Sequence, residues 1–174
     1  GMRPIQPGKI REIVKEIRNG NRQEAAHQVK QLPNPGSQVL TAGVENAHEP
    51  KELLEEIMLE KIVEIQPRVE RLLPVIAVTA ATAPLLGLLG TVTGMINTFK
   101  LITIFGTGDA KSLSSGISEA LITTEFGLIV AIPSLILHAI LNRKAKAVMS
   151  GLESNAMSFV NGIFAKKDEE KDAA

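Results

Sequence analysis

The chain has 174 residues, 19 Lys+Arg against 19 Asp+Glu for a formal net charge of zero, and no cysteine. Balanced charge leaves no electrostatic footprint for nucleic acid, and the lack of cysteine excludes disulfides and thiolate metal sites. The length allows one ordinary domain, but polarity is unevenly spread: residues 1–71 are rich in Lys, Arg, Glu and Gln, residues 166–172 read KKDEEKD, and no charge falls between Leu72 and Phe99.

In chain order, QPGKIREIVKEIRNG places Ile10, Ile13, Val14 and Ile17 at helical spacing, and Asn19-Gly20 stops the helix. Asn21 stands three residues before Glu24, which predicts a capping box opening a second helix that ends near Leu32. PNPGS reads as a turn. A third helix is expected from Gln38 to Ala47, and Pro50 suits the first turn of a fourth. From Lys51 to Phe105 the only interruptions are Pro67, Pro74 and Pro84, each able to kink a helix without ending it. The expectation is one bent helix of about 55 residues, roughly 80 Å long. Its first third is amphipathic, with Leu53, Leu54, Ile57, Met58 and Ile62 on one side. GTGDAK is a Gly-rich turn, and a last helix is expected from Ser112 through Asn142 toward Phe164, ahead of a frayed charged tail.

A hydrocarbon core needs about 20 apolar residues of helix. The run after Leu72 is long enough to span and starts too far along the chain for a signal peptide. A second run, IVAIPSLILHAIL, follows residue 128. The predicted fold class is therefore an all-α membrane protein of long kinked helices with two crossings. Residues 1–71 form a helical region on the cytoplasmic side, 72–105 and 112–142 the crossings, 106–111 the outer turn, and 143–174 a helix and charged tail. Arg68, Arg71, Arg143, Lys144 and Lys146 flank the crossings and outnumber Lys100 and Lys111 near the turn. The positive-inside rule then puts both ends of this chain in the cytoplasm. Trp and Tyr are absent, so the usual aromatic belt at the membrane surface is missing.

Turning each residue by about 100° gathers Ala80, Ala83, Gly87, Gly90, Thr91, Gly94, Asn97 and Thr98 on one stripe of the first crossing. On the second, Gly116, Glu119, Ala120, Thr123, Thr124, Gly127, Ala131, Ser134 and His138 share a face. Gly87, Gly90, Gly94 and Gly127 are candidate helix-packing positions, with Gly90 and Gly94 a GxxxG pair. Thr91 lies about 21 Å of helix from Phe105 and Thr124 about 18 Å from Ser112, so an antiparallel pair brings both hydroxyls to one level near mid-membrane. Glu119 falls to the outer side of that layer. A membrane carboxylate is costly unless paired, protonated or wetted, which makes Glu119 a functional candidate. The plainer alternatives are that the small and hydroxylated residues only glue helices, and that Glu119 reaches water. Glu125 falls on the apolar face, among Leu121, Leu128, Ile129 and Ile132.

VERLLPVIAVTAATAPLLGLLGTVTGMINTF and GISEALITTEFGLIVAIPSLIL resemble the two signatures of the ExbB/TolQ/MotA proton-channel family. The Glu-Ala-Leu and Gly-Leu-x-x-Ala-Ile-Pro pieces favour ExbB or TolQ over the flagellar stator MotA. The resemblance covers about residues 36–145. It implies a homo-oligomeric ring, usually of five copies, in the inner membrane of Gram-negative bacteria. That ring surrounds the membrane helices of an ExbD- or TolR-like single-span partner carrying an essential aspartate. Proton flow would drive the partner and energise a TonB-like protein that opens outer-membrane transporters. Thr91 and Thr124 match the family hydroxyls facing that aspartate, Glu119 matches the family glutamate, and Thr123 beside them joins the candidate proton path.

Three departures accompany the resemblance. The family usually has three crossings and this chain holds two, so it is expected to be a piece of a longer protein or a variant relying on another subunit. Lys100 is charged where relatives are commonly apolar and is expected to snorkel outward. Glu125 replaces a small or apolar residue and is expected to meet a neighbouring subunit or a wet gap; Glu125→Ala should then weaken ring assembly. Neither a cofactor nor a metal is expected, since His27, His48 and His138 are dispersed. FGTGDAKS lacks the Gly before Lys and the preceding strand of a phosphate loop. No catalytic spacing for a soluble enzyme is present. A TolQ-like envelope motor, a stator, or a purely structural membrane scaffold are the competing readings.

Overall fold

The computed structural model describes residues 5, 7–106 and 110–172. Six helices follow in order: α1 Pro7–Arg18, α2 Arg22–Lys30, α3 Gly36–Glu45, α4 Lys51–Glu70, α5 Leu73–Phe105 and α6 Ala110–Asp172. No strand occurs among the described residues. The chain divides into two compact units, one of residues 1–70 with 144–174 and one of residues 71–143.

In the first unit the helical periodicity of α1 sets its buried side, Ile10, Ile13 and Val14. Gly20, at φ 81°, reverses the chain after α1 where a side chain would be strained. The expected capping box does not form. Asn21 precedes α2 without a side-chain cap, because its amide donates instead to Glu16 Oε2 at 3.0 Å across the turn. Helix α3 starts and ends two residues earlier than the spacing suggests. On α4, Leu54, Met58, Ile62 and Ile65 are buried, whereas Leu53, about 100° around the helix from Leu54, is exposed. These residues join Val39, Leu40, Val44, Leu152, Phe159 and Val160 in one core. Gly43 lets Phe159 and Met58 close over α3: a Cβ there would stand 2.7 Å from the Phe159 ring and 3.0 Å from Met58 Sδ.

The single bent helix expected from Lys51 to Phe105 is instead two, parted by a turn at Arg71-Leu72. Pro74 explains the place. It has no N–H to give the Glu70 carbonyl, and its ring clashes with that carbonyl in a continuous helix. Pro67 and Pro84, by contrast, sit inside α4 and α5. The charged tail read as frayed continues as helix to Asp172, and no breaker falls between Ile163 and that residue.

In the second unit α5 and the first half of α6 pack antiparallel through small residues, with Ala80 and Ala131 each 1% exposed. Outward, Leu85, Leu86, Leu88 and Leu89 of α5 and Leu121, Ile129 and Ile132 of α6 are exposed. Two helical stretches are long and apolar enough to cross a membrane, and only 17% and 11% of their apolar windows are buried within the chain. Core helices of a soluble protein would be mostly buried, so these surfaces suit lipid or other helices.

Candidate proton-path groove in the membrane unit

Close approach of two backbones builds the centre of the helix pair. A Cβ on Gly127 would lie 2.8 Å from the Ala83 carbonyl oxygen and 3.0 Å from Gly87 Cα; one on Gly87 would lie 3.1 Å from Thr124 Cα. Only glycine fits both positions without parting the helices. About one turn along, Gly90 lies beneath the side chain of Thr123, and after two turns Gly94 faces Ala120, with a Cβ 2.7 Å from the Ala120 methyl. Gly116 faces Thr98, whose hydroxyl donates to Gly94 O at 3.0 Å and which is 3% exposed. The structure thus brings Gly87, Gly90, Gly94 and Gly127 into one seam. Gly116, outside that predicted set, belongs to it.

That spacing puts Thr91 and Thr124 side by side. Their hydroxyls contact one another, Thr91 Oγ1 lies 3.2 Å from both Gly87 O and Ala120 O, and Thr124 Oγ1 lies 3.2 Å from Gly87 O. Two hydroxyl protons therefore serve two carbonyls and two hydroxyl oxygens, so more than one bonding pattern satisfies the pair. Such a pair relays or accepts a hydrogen bond by rotation, without titrating.

Beside the seam runs an open groove of about 650 Å³. Glu119, Thr123 and Ser115 of α6 face Thr93 and Asn97 of α5 across it, between walls that include Leu86, Leu89 and Leu101. Thr91 and Thr124 do not line it. The sequence-predicted site residues are therefore divided: Glu119 and Thr123 line the groove, and the Thr91–Thr124 pair lies in the glycine seam, outside the groove lining. Asn97 stands on the stripe read from the sequence but not among its site residues, and Thr93 and Ser115 are groove residues that the sequence reading does not single out; the available signal is Thr93 at i−4 from Asn97. Thr123 Oγ1 donates to the Glu119 carbonyl at 2.8 Å. Glu119 and Glu125 are exposed, and among the described residues neither carboxylate has a salt bridge or a side-chain hydrogen bond within the chain. Glu125 lies away from the groove, on the flank with Leu121, Ile129 and Ile132.

Other hydroxyls along the membrane helices are satisfied locally. Thr79, Thr82, Thr93 and Thr103 each donate to the carbonyl four residues back at 2.8–3.0 Å, as does Ser134 at 2.8 Å. No group of His, Cys, Asp and Glu suited to a metal ion occurs among the described residues. Among the described residues, neither the Glu119 carboxylate nor the Asn97 amide has a side-chain hydrogen bond within the chain, a setting for proton exchange or for a polar group of another helix.

Comparison with known proteins bears on this geometry. The profile of the MotA/TolQ/ExbB proton channel family matches residues 31–154. The biopolymer transport protein ExbB of Aquifex aeolicus is 42% identical over 83 residues, covering 48% of this chain and 56% of that protein. ExbB of Neisseria gonorrhoeae is 28% identical over 157 residues, 90% of this chain and 64% of the relative. The Tol-Pal system protein TolQ of Pseudomonas aeruginosa is 37% identical over 73 residues, 42% of this chain and 32% of the relative. The chain thus spans less than two thirds of each. The matched region takes in the whole glycine seam and the groove beside it, together with α3, α4 and much of α6, and this extent makes the chain a helical membrane protein belonging to the MotA/TolQ/ExbB proton channel family.

Proposed function

We propose that the chain is a subunit of an ExbB-type energiser, which passes protons across the bacterial inner membrane and transmits their free energy to a single-span, aspartate-bearing ExbD- or TolR-like partner. A ring of copies, of which five is the expected number, surrounds the partner's membrane helices. A TonB-like protein is the recipient. No covalent chemistry is assigned to the chain. Residues 1–71 and 143–174 lie on the cytoplasmic side and the 106–111 turn outside, in keeping with the basic residues flanking the crossings. The similarity to TolQ favours, as a second reading, a Tol-type motor with the same proton path and a different recipient.

The observation that carries the proposal is the Thr91–Thr124 hydroxyl pair in the glycine seam between two membrane helices, with the Glu119 side chain and Thr123 lining the groove that runs along the same seam. A titratable group beside rotatable hydroxyls, between membrane helices, suits proton transfer better than packing alone. The test is co-expression with the candidate partner, followed by native mass and proton flux in liposomes. A closed ring that holds the partner is expected. Thr124→Val and Glu119→Gln should each cut flux roughly tenfold or more at unchanged native mass, because an interhelical hydrogen bond in a membrane contributes only about 0.6 kcal/mol on average. A structural scaffold would instead tolerate both substitutions, or fail in both by losing assembly.

A further inference from the structure

Lys100 and Glu119 are the two charged residues set inward from the ends of the α5–α6 pair on its groove side. Thr93 and Asn97 line the groove, and Lys100, at i+7 from Thr93 and itself outside the lining, continues their flank of α5 toward the Phe105 end of that helix. Gly94 packs on Ala120 and Thr98 on Gly116, a register that sets Glu119 level with about Met95. Lys100 is therefore about 7.5 Å nearer the turn than Glu119.

Side-chain direction shortens that gap. On every α-helix the Cα–Cβ bond tilts toward the helix's own N-terminus. Because α5 and α6 are antiparallel, the stem of Lys100 leans away from the turn and that of Glu119 leans toward it. A four-carbon stem and a two-carbon stem inclined toward each other reduce that axial offset. Turning Lys100 back to the membrane surface would work against its tilt. Both residues are exposed, and in the structure the pair is open, with neither residue in a salt bridge among those described.

The other charges are less well placed. Lys111 lies eight residues before Glu119 on the same helix, about 12 Å away along the axis. Glu125 lies about 120° around α6 from Glu119. Arg71 and Arg143 are at the far ends of the pair, and Asp109 lies outside the described residues. We propose that Lys100 is the counter-ion of Glu119, a positioning residue whose ammonium closes across the turn-side mouth of the groove and holds the carboxylate there. This deepens the proton-path reading of Glu119 and rests on it. The pair gives the groove two states: closed, with Glu119 held against Lys100, and open, with the Glu119 side chain free to meet another group.

Dicyclohexylcarbodiimide, applied to the detergent-solubilised chain, tests this without requiring flux. It adds to a protonated membrane carboxyl, which then forms an amide with an amine in reach or rearranges to a stable N-acylurea. Peptide mapping should find Glu119 joined to Lys100, with a mixture of isotope-labelled and unlabelled protein placing the joint inside one chain. In Lys100→Met the joint should vanish, and the rate of addition at Glu119 should rise about tenfold, since the carboxyl group loses the charge-assisted hydrogen bond that shields it. Addition at Glu125 should keep its rate. Lys100→Gln, which retains a polar stem, should reproduce both changes if the methionine variant does not fold. The proposal is overturned if wild-type Glu119 carries only N-acylurea, joins to Lys111, or joins only between chains. It is equally overturned if the rate at Glu119 is unmoved or rises no more than that at Glu125. A chain that conducts no protons still yields the joint or fails to, which separates this inference from the proposed function.

Discussion

At the scale of single residues, the glycines of the membrane unit differ in what stands opposite them. Gly127 faces backbone, the Ala83 carbonyl and Gly87 Cα at 2.8 and 3.0 Å from an added Cβ, so neither neighbour can rotate aside. Gly127→Ala is expected to cost about 1–3 kcal/mol, read as a lower melting temperature of the detergent-solubilised protein. Gly151 meets nothing within 4 Å, and Gly151→Ala should be neutral or stabilise by up to about 1 kcal/mol through helix propensity. Equal destabilisation by both would contradict the packing described. This seam was legible in the sequence because a 3.6-residue period collects small residues on one stripe. The groove was not, since Thr93, Asn97, Ser115 and Glu119 meet only once the register between two helices far apart in the chain is fixed. Asn21 shows a smaller limit: a good capping signal lost its side chain to Glu16, a competitor that local spacing does not reveal.

At the scale of an element, α4 carries its charges on the side away from the core. Lys61 Nζ donates to Glu64 Oε2 at 2.6 Å, and Arg68 approaches Glu64 Oε1 at 3.6 Å. The hydrogen bond from Lys61, then its charge, holds the Glu64 carboxyl below its usual value, with a smaller contribution from Arg68. A lowered folded value means that the pair supports the helix above the ordinary carboxylate range near pH 4.5 and that this support is lost as pH falls through the lowered value. Lys61→Met should return Glu64 toward its ordinary titration, followed by carboxyl-carbon NMR, and the acid-dependent part of the turn's stability that Glu64 contributes should shrink with it. An unchanged Glu64 titration would show the ion pair to be inconsequential, as many exposed pairs are. The helices themselves were largely legible, because apolar periodicity and Gly20 mark them. The division of the Lys51–Phe105 run was not: three prolines offer three candidate breaks, and only Pro74 takes the first turn of a new helix.

At the scale of the whole molecule, two units with separate interiors should respond separately to injury. Phe159 is fully buried in the first unit, over Gly43, and Phe159→Ala should cost about 3–5 kcal/mol. Hydrogen exchange should quicken through α1 to α4 and through residues 145–165, and remain unchanged around Gly87 and Gly127. Exchange that quickened equally in both would mean one cooperative body rather than two. The threonines of the membrane helices carry a last consequence, for what a helix needs from its neighbour. Thr79, Thr82, Thr93 and Thr103 give their hydroxyl protons to carbonyls of their own helix. A hydropathy scale that counts each of them as an unsatisfied alcohol overstates the penalty for leaving water. The hydroxyls of the first apolar helix are thus partnered before any neighbour packs against it, so that helix needs no second helix to satisfy them in lipid, and the glycine seam is free to serve close packing.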